Sequence, residues 1–187
     1  MVLPILTVPH PLLSQTSRPV REDEFGPELL QRMKDMSETM FAAPGVGLAG
    51  VQVGDLRRML VADVGDDEDE DGYREKGVDV VFVVNPEVVA CSDEKITWEE
   101  GCLSVPEFWE DFVRPRRVTV RYRTPLGGTE ERTFEDYPSI IVQHEMDHLD
   151  GTILLDRVSR LKKKRYLQKV KKWAKRAQET PETEAAW

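Results

Sequence analysis

His144, Glu145 and His148 fall within one short run, Gln143-His144-Glu145-Met146-Asp147-His148, and no other stretch of the chain is better suited to chemistry. On an α-helix, side chains four residues apart share a face, so His144 and His148 can offer two imidazoles to one metal ion. Glu145 stands beside them, close enough to exchange a proton with a water on that ion and too far round to be the obvious third ligand. A divalent ion on nitrogen and thiolate ligands can lower the pKa of its water from roughly 15.7 to about 7, which makes hydroxide available at neutral pH. The plain alternative is a helix with two solvated histidines and a surface glutamate. The chain has only three histidines and two of them stand here, which favours the metal.

A third ligand must come from elsewhere. Zinc endopeptidases place it downstream, as a glutamate about twenty residues on or as the last histidine of His-x-x-Gly-x-x-His. Gly151 fits that second spacing, but the final position is Leu154, and the next glutamate after Glu145 is Glu179. His10 precedes a proline near the N-terminus and reads as a surface residue, while Asp150 and Asp156 are too near His148 to fold back. The cysteines remain. Cys102 lies in Glu100-Gly101-Cys102-Leu103-Ser104, where a glycine allows close backbone approach. Cys91 ends an apolar, strand-like run and reads as a strand-end residue without chemistry.

Three blocks together resemble the peptide deformylases, which remove the formyl group from newly made bacterial proteins. They are Gly45-Val46-Gly47-Leu48-Ala49-Gly50-Val51-Gln52, Glu100-Gly101-Cys102-Leu103-Ser104, and Gln143-His144-Glu145-Met146-Asp147-His148-Leu149-Asp150-Gly151. The resemblance runs from Val2-Leu3-Pro4-Ile5-Leu6 to the C-terminal helix. It implies Cys102, His144 and His148 as metal ligands and Glu145 as the catalytic acid/base. It also implies Gln52 and the backbone N–H of Leu103 as donors to the developing oxyanion, where each such donor is commonly worth ~3–4 kcal/mol. Gly45, Val46 and Gly47 are expected to bind substrate through edge amides, although Pro44-Gly45 is equally a helix-stop signal. The implied ion is iron(II), with zinc, nickel or cobalt able to substitute, since a Cys-His-His site suits all four.

Two departures stand out. The family usually has two alanines where this chain has Ala49-Gly50, and often Gly-x-x-Ala-Arg where it has Asp136-Tyr137-Pro138-Ser139-Ile140. Neither touches a ligand, the acid/base or a donor. They bear on pocket shape and helix entry.

At 187 residues one domain is the default. No apolar run approaches the ~20 residues that span a bilayer, so no membrane association is expected. The N-terminal segment is broken by Pro4, Pro9 and Pro11 and lacks a basic start, so no secretory signal is expected. Two cysteines, one of them a ligand candidate, fit a reducing cytoplasm.

The elements that must position these residues are partly legible. Leu29, Leu30, Met33, Met36 and Met40 recur at helical spacing over 28–40, behind Pro27. Residues 59–64, 78–84 and 117–124 read as strands, and Pro125-Leu126-Gly127-Gly128 joins the last to a hairpin partner over 129–135. Pro138 is expected to open the histidine helix. Strands before helices, without βαβ alternation, predict an α+β fold: antiparallel sheets packed around a central metal-binding helix, with a C-terminal helix. The expected divisions are 1–158 as the catalytic domain, 159–178 as a basic helix of that domain, and 179–187 as a disordered tail.

Charge is uneven. The net charge is −9, yet residues 157–178 carry 11 basic groups and no acid. Leu161, Leu167, Val170, Trp173, Ala174 and Ala177 fall near one face of that segment. The reading is a terminal helix docked on an acidic body; the family resemblance adds the ribosome as a partner, with RNA phosphates facing the basic side. No candidate ligand, donor or base lies beyond His148, so removing this helix is expected to leave short-peptide activity intact. Asp66-Asp67-Glu68-Asp69-Glu70-Asp71 reads as a self-repelling loop.

Three functions compete. The first is a deformylase acting on formyl-methionyl nascent peptides. The second is a zincin-like endopeptidase, weakened by Leu154. The third is a closed zinc site of Cys91, Cys102, His144 and His148 on an RNA-binding protein, weakened by the wide cysteine spacing and by leaving Glu145 and Gln52 idle.

Overall fold

Met59-Leu60-Val61-Ala62-Asp63 forms a strand whose residues are buried on both faces, so it must be covered from both sides. The computed structural model, which describes residues 1–65 and 76–179, shows what covers it. Numbered in chain order, this strand is β2. It sits in a five-stranded antiparallel sheet of order β1-β2-β3-β6-β7, with β1 Gly47–Ala49, β3 Val80–Cys91, β6 Arg117–Arg123 and β7 Thr129–Glu135. Leu60 and Ala62 pack against Ile141, Val142, Met146 and Leu149 of helix α2, Asp136–Leu149. Met59 and Val61 pack on the other face, against Leu29, Met33, Met36 and Met40 of helix α1, Pro27–Ala42. Alternation along one strand therefore divides the core into two layers.

The expected α+β architecture is present, with α2 at its centre and a C-terminal helix α3, Arg160–Glu179. The meander 117–135 is also as expected, Thr129–Glu135 pairing in register with Arg117–Arg123. Several expectations need correcting. Residues 47–49 form a short strand that was not among the expected ones, and β3 starts later and runs further than 78–84. The helix bearing the histidines opens at Asp136, so Pro138 is its third residue; its missing N–H still falls in the first turn, where no partner exists. A second sheet had no counterpart in the sequence reading: β4 Lys95–Cys102 and β5 Val105–Pro115 form a hairpin.

A third core layer joins the N-terminal segment to the hairpin. Val8, Leu13, Val105, Ile153 and Leu155 bury themselves there together with Tyr166 of α3. Leu167 and Val170 pack alongside, but Leu161 is 57% exposed, so the docking face of α3 centres on Tyr166 instead. The acidic run 66–71 and the tail from 180 onward lie outside the described residues. Among the described residues no helix is long and apolar enough to cross a membrane.

Candidate active site

The helical spacing of His144 and His148 does place both rings on one side of α2, with centroids 5.2 Å apart. What meets them is the tip of the β4–β5 hairpin. Cys102, the last residue of β4, brings its Sγ to 3.2 Å from His148 Nε2. The ligand atoms of Cys102, His144 and His148 lie within 4.8 Å of one another. Donors that share one tetrahedral ion at about 2.0–2.3 Å stand roughly 3.3–3.7 Å apart, so this cluster has the span of a metal site. One sulfur and two imidazoles are also a suitable donor set for a first-row divalent ion. Two buried polar atoms beside it, His148 Nδ1 and Glu145 Oε2, have no hydrogen-bond partner. Cys91 is exposed at the far end of β3 and takes no part in the cluster.

His144 is held from behind. Its Nδ1 lies 2.8 Å from Glu100 Oε2, which leaves Nε2 for the site. Glu100 in turn accepts two hydrogen bonds from Arg114, at 2.5 Å to Nε and 2.9 Å to Nη2, and Arg114 Nη1 also donates to Asp147 at 2.9 Å. Burial acts to raise the Glu100 pKa, but His144 and Arg114 outweigh it and hold the carboxyl below its ordinary range. Burial also acts to lower the His144 pKa, yet the Cys102 sulfur and the Glu100 carboxylate drive it well above the usual histidine value. His148, buried and with His144 and Arg114 nearby, is driven well below it. A carboxylate behind a metal-directed imidazole fixes ring orientation and strengthens the nitrogen as a ligand.

Glu145 projects from the same helix into a tight space. Burial pushes its carboxyl up to about 7, with the neighbouring Glu100 adding to the rise and His144 opposing it. The space exists because residue 47 is glycine. A Cβ there would lie 2.7 Å from Glu145 Cγ and still closer to Oε1, so Gly47 accommodates Glu145 as well as any substrate. Gly50 is demanded by the fold: a Cβ there would stand 2.8 Å from the Asp55 carbonyl oxygen and 3.0 Å from that of Arg57. The Ala49-Gly50 departure thus belongs to a tightly folded turn behind the site.

Gln52 is buried in the 3-10 turn that follows β1. Its Oε1 accepts from Ala49 N at 2.7 Å, which aims Nε2 at Ser104 Oγ, 3.1 Å away, and at Cys102 Sγ, 3.7 Å away. Leu103 makes the hairpin turn between Cys102 and Ser104, its side chain against Gly45. A cavity of about 420 Å³ opens over these groups. Gly45, Val46 and Gly47 line it, and Trp98, Phe108, Trp109 and Tyr137 supply aromatic surface. Trp98 and Tyr137 stack at 5.0 Å.

Eight of the nine residues assigned to the site from the sequence line this cavity, and the ninth, His148, is buried against Cys102. Glu100, Arg114 and Asp147 had not been singled out. Glu100 lay inside a matching block and could have been noticed; Arg114 gave no signal, because its role depends on the hairpin folding against α2.

Comparison with known proteins agrees with this geometry. Residues 2–164 match the polypeptide deformylase family. The chain belongs to that family. A peptide deformylase of Phenylobacterium zucineum is 44% identical over 173 residues, covering 92% of this chain and 97% of that one. One of Erythrobacter litoralis is 41% identical over 184 residues, covering 90% and 95%. Among solved structures, the peptide deformylase of Ehrlichia chaffeensis superposes with a TM-score of 0.83 at 37% identity, covering 95% of this chain and 99% of that one. A class I type b enzyme of Acinetobacter baumannii with Met-Ala-Ser bound superposes at 0.75 with 34% identity, covering 84% and 99%.

Proposed function

We propose that this chain removes the formyl group from N-formyl-methionyl nascent polypeptides by hydrolysis and releases formate. The observation that carries the reading is the meeting of Cys102, His144 and His148 beside a buried Glu145, one carboxylate oxygen of which has no partner, where an open cavity reaches Cys102, His144 and Glu145. The family is metal-dependent, and we assign Cys102, His144 and His148 as the residues that hold the ion. When bound, a divalent ion there supplies Lewis-acid polarisation and brings the pKa of a water to about 7.

The chain's own groups do the rest. Glu145, held near neutrality by burial, accepts a proton from the attacking water and delivers it to the amine as the carbon–nitrogen bond breaks. Gln52 Nε2 and the Leu103 N–H donate to the oxygen on which negative charge develops. Strand β1 is the edge of its sheet, so Gly45, Val46 and Gly47 can receive the peptide as an added strand. The aromatic lining takes the methionine side chain, whose thioether packs well on aromatic rings.

The physiological ion in this assignment is iron(II), as the family resemblance implies, with zinc, nickel or cobalt able to substitute; a thiolate and two imidazoles suit all four. The proposed compartment is the cytoplasm, in keeping with a thiolate ligand and two unpaired cysteines. The ribosome is the proposed partner of α3. Arg160, Lys164, Arg165, Lys171 and Lys172 support it, exposed along the helix. The endopeptidase alternative gains nothing: Leu154, where its third ligand would stand, is a buried apolar residue.

The deciding experiment is anaerobic formate release from a formyl-methionyl tripeptide after loading with each ion in turn. Stoichiometric formate, with no cleavage of internal peptide bonds, is expected. Cleavage of an unformylated peptide without formate would favour the endopeptidase.

A further inference from the structure

The β4–β5 hairpin is not a simple ladder. Cys102 pairs with Val105, but the next pair is Gly101 with Trp109, so Pro106, Glu107 and Phe108 form a bulge with no partner on β4. All three line the cavity. Glu107, at the centre, has a left-handed backbone with φ of +56°, unfavourable for any residue but glycine. Such a conformation persists only where its surroundings over-determine it.

Those surroundings are helix α3. The buried Tyr166 donates its hydroxyl to the Pro106 carbonyl at 2.8 Å and meets the Phe108 ring edge-on, with centroids 5.3 Å apart. Lys169 Nζ pairs with the Glu107 carboxylate at 2.9 Å, and Lys162 reaches Glu110 at 2.6 Å just past the bulge. Each of the three bulge residues is therefore held by a side chain of α3.

We propose that Tyr166 is a positioning residue for peptide binding: it holds the Pro106–Phe108 bulge in place as a wall of the cavity. Helix α3 then influences how tightly peptide is held while contributing no group to the reacting centre. The inference rests on the deformylase reading of the cavity. It also reverses the expectation that removing the helix leaves short-peptide activity intact. With the bulge released, the wall samples other conformations and must be ordered again when peptide binds, which weakens binding. Gln52, Cys102, His144, Glu145 and His148 stand on other elements, so the chemical step is spared.

The test uses the metal-loaded full chain with Tyr166→Ala and Tyr166→Phe. Formate release gives KM and kcat for a formyl-methionyl tripeptide, and calorimetry gives the affinity for its deformylated product. Tyr166→Ala is expected to raise KM and the product Kd together by about five- to tenfold, with kcat within about twofold of the parent. Tyr166→Phe keeps the ring against Phe108 and should recover most of that loss. A folded Tyr166→Ala protein with parent-like KM and product affinity overturns the inference, as does a fall in kcat at unchanged KM. If circular dichroism shows Tyr166→Ala unfolded, Tyr166→Leu decides, since it fills the core but removes both the hydroxyl and the ring, and parent-like KM and product affinity in it overturn the inference. Inactivity of the metal-loaded parent itself would strike the functional reading, whereas an active parent with insensitive variants strikes only this inference.

Discussion

Glu145 is the residue whose surroundings most constrain what it can do. It sits at the floor of a cavity with one carboxylate oxygen unpartnered and its pKa raised to about 7. Glu145→Gln preserves shape and removes no proposed ligand. Metal content should be unchanged while formate release falls by about 10²–10⁴-fold, the usual weight of a general acid/base. In the metal-free protein the same variant should alter stability in a defined window. The unfolded carboxyl ionises near 4.5 and the folded one near 7, so the folded state keeps its proton longer and loses stability as pH rises between those values. Metal-free Glu145→Gln should then be the more stable protein above pH 7, by up to about 3 kcal/mol, with the difference vanishing at about pH 4. Equal denaturation midpoints at pH 8 would argue against the buried carboxyl. The cysteines divide cleanly at this scale. Cys102→Ala should lose the bound ion and Cys91→Ser should keep it, because only Cys102 reaches the two histidines. Metal analysis of the two proteins checks this, and loss of the ion from Cys91→Ser would revive the closed four-ligand site.

At the scale of elements, the site is a junction between α2, the hairpin tip and the edge strand β1. The hairpin is anchored to α2 by Arg114, which bonds Glu100 on β4 and Asp147 on α2 while its own side chain is 3% exposed. Breaking such a pair by removing one partner typically costs about 3–5 kcal/mol, because a charge is left buried alone. Strand β1 approaches α2 so closely that only glycine fits opposite Glu145. Gly47→Ala should therefore fold and bind metal, yet displace the carboxylate and lower turnover by roughly a hundredfold, as small misplacements of reacting groups can do. The informative comparison is kcat against metal occupancy: full activity in Gly47→Ala would show that β1 and α2 can separate freely.

For the whole molecule, charge is divided between an acidic body and a basic terminal helix. Some of the helix's cations are engaged by the body, as in Lys162–Glu110, Lys163–Asp156 and Lys169–Glu107. Arg160, Lys164, Arg165, Lys171 and Lys172 are exposed. If four of them meet RNA phosphates, ribosome association should weaken about a hundredfold between 50 and 200 mM salt. Replacing them with glutamine should flatten that dependence while KM for a free tripeptide stays as it was, since they do not touch the bulge. Co-sedimentation across a salt series measures both. A salt-independent association, or none, would reduce α3 to its packing role.

What local spacing determines was legible in the sequence. The pairing of His144 with His148 follows from helical period, the core face of α1 from its leucines and methionines, and the 117–135 meander from alternation and its Pro-Gly turn. Each depends on neighbours a few residues apart, which any chain carrying that pattern would bring together. The three blocks marked the family because they preserve residue types at a site whose geometry is not written in their spacing. Folding decided the remainder. Cys102 meets His148 across 46 positions, and Glu100 meets Arg114 across 14 in a hairpin that periodicity did not reveal. With 26 basic and 35 acidic residues in the chain, nothing local says which pair will be buried behind a histidine. Tyr166 was hidden for the same reason: it lies among lysines and arginines and becomes a core residue only because the bulge beneath α3 offers a carbonyl and an aromatic edge. Contacts of that kind are chosen by three-dimensional packing, where burial selects one partner among many that the sequence would allow.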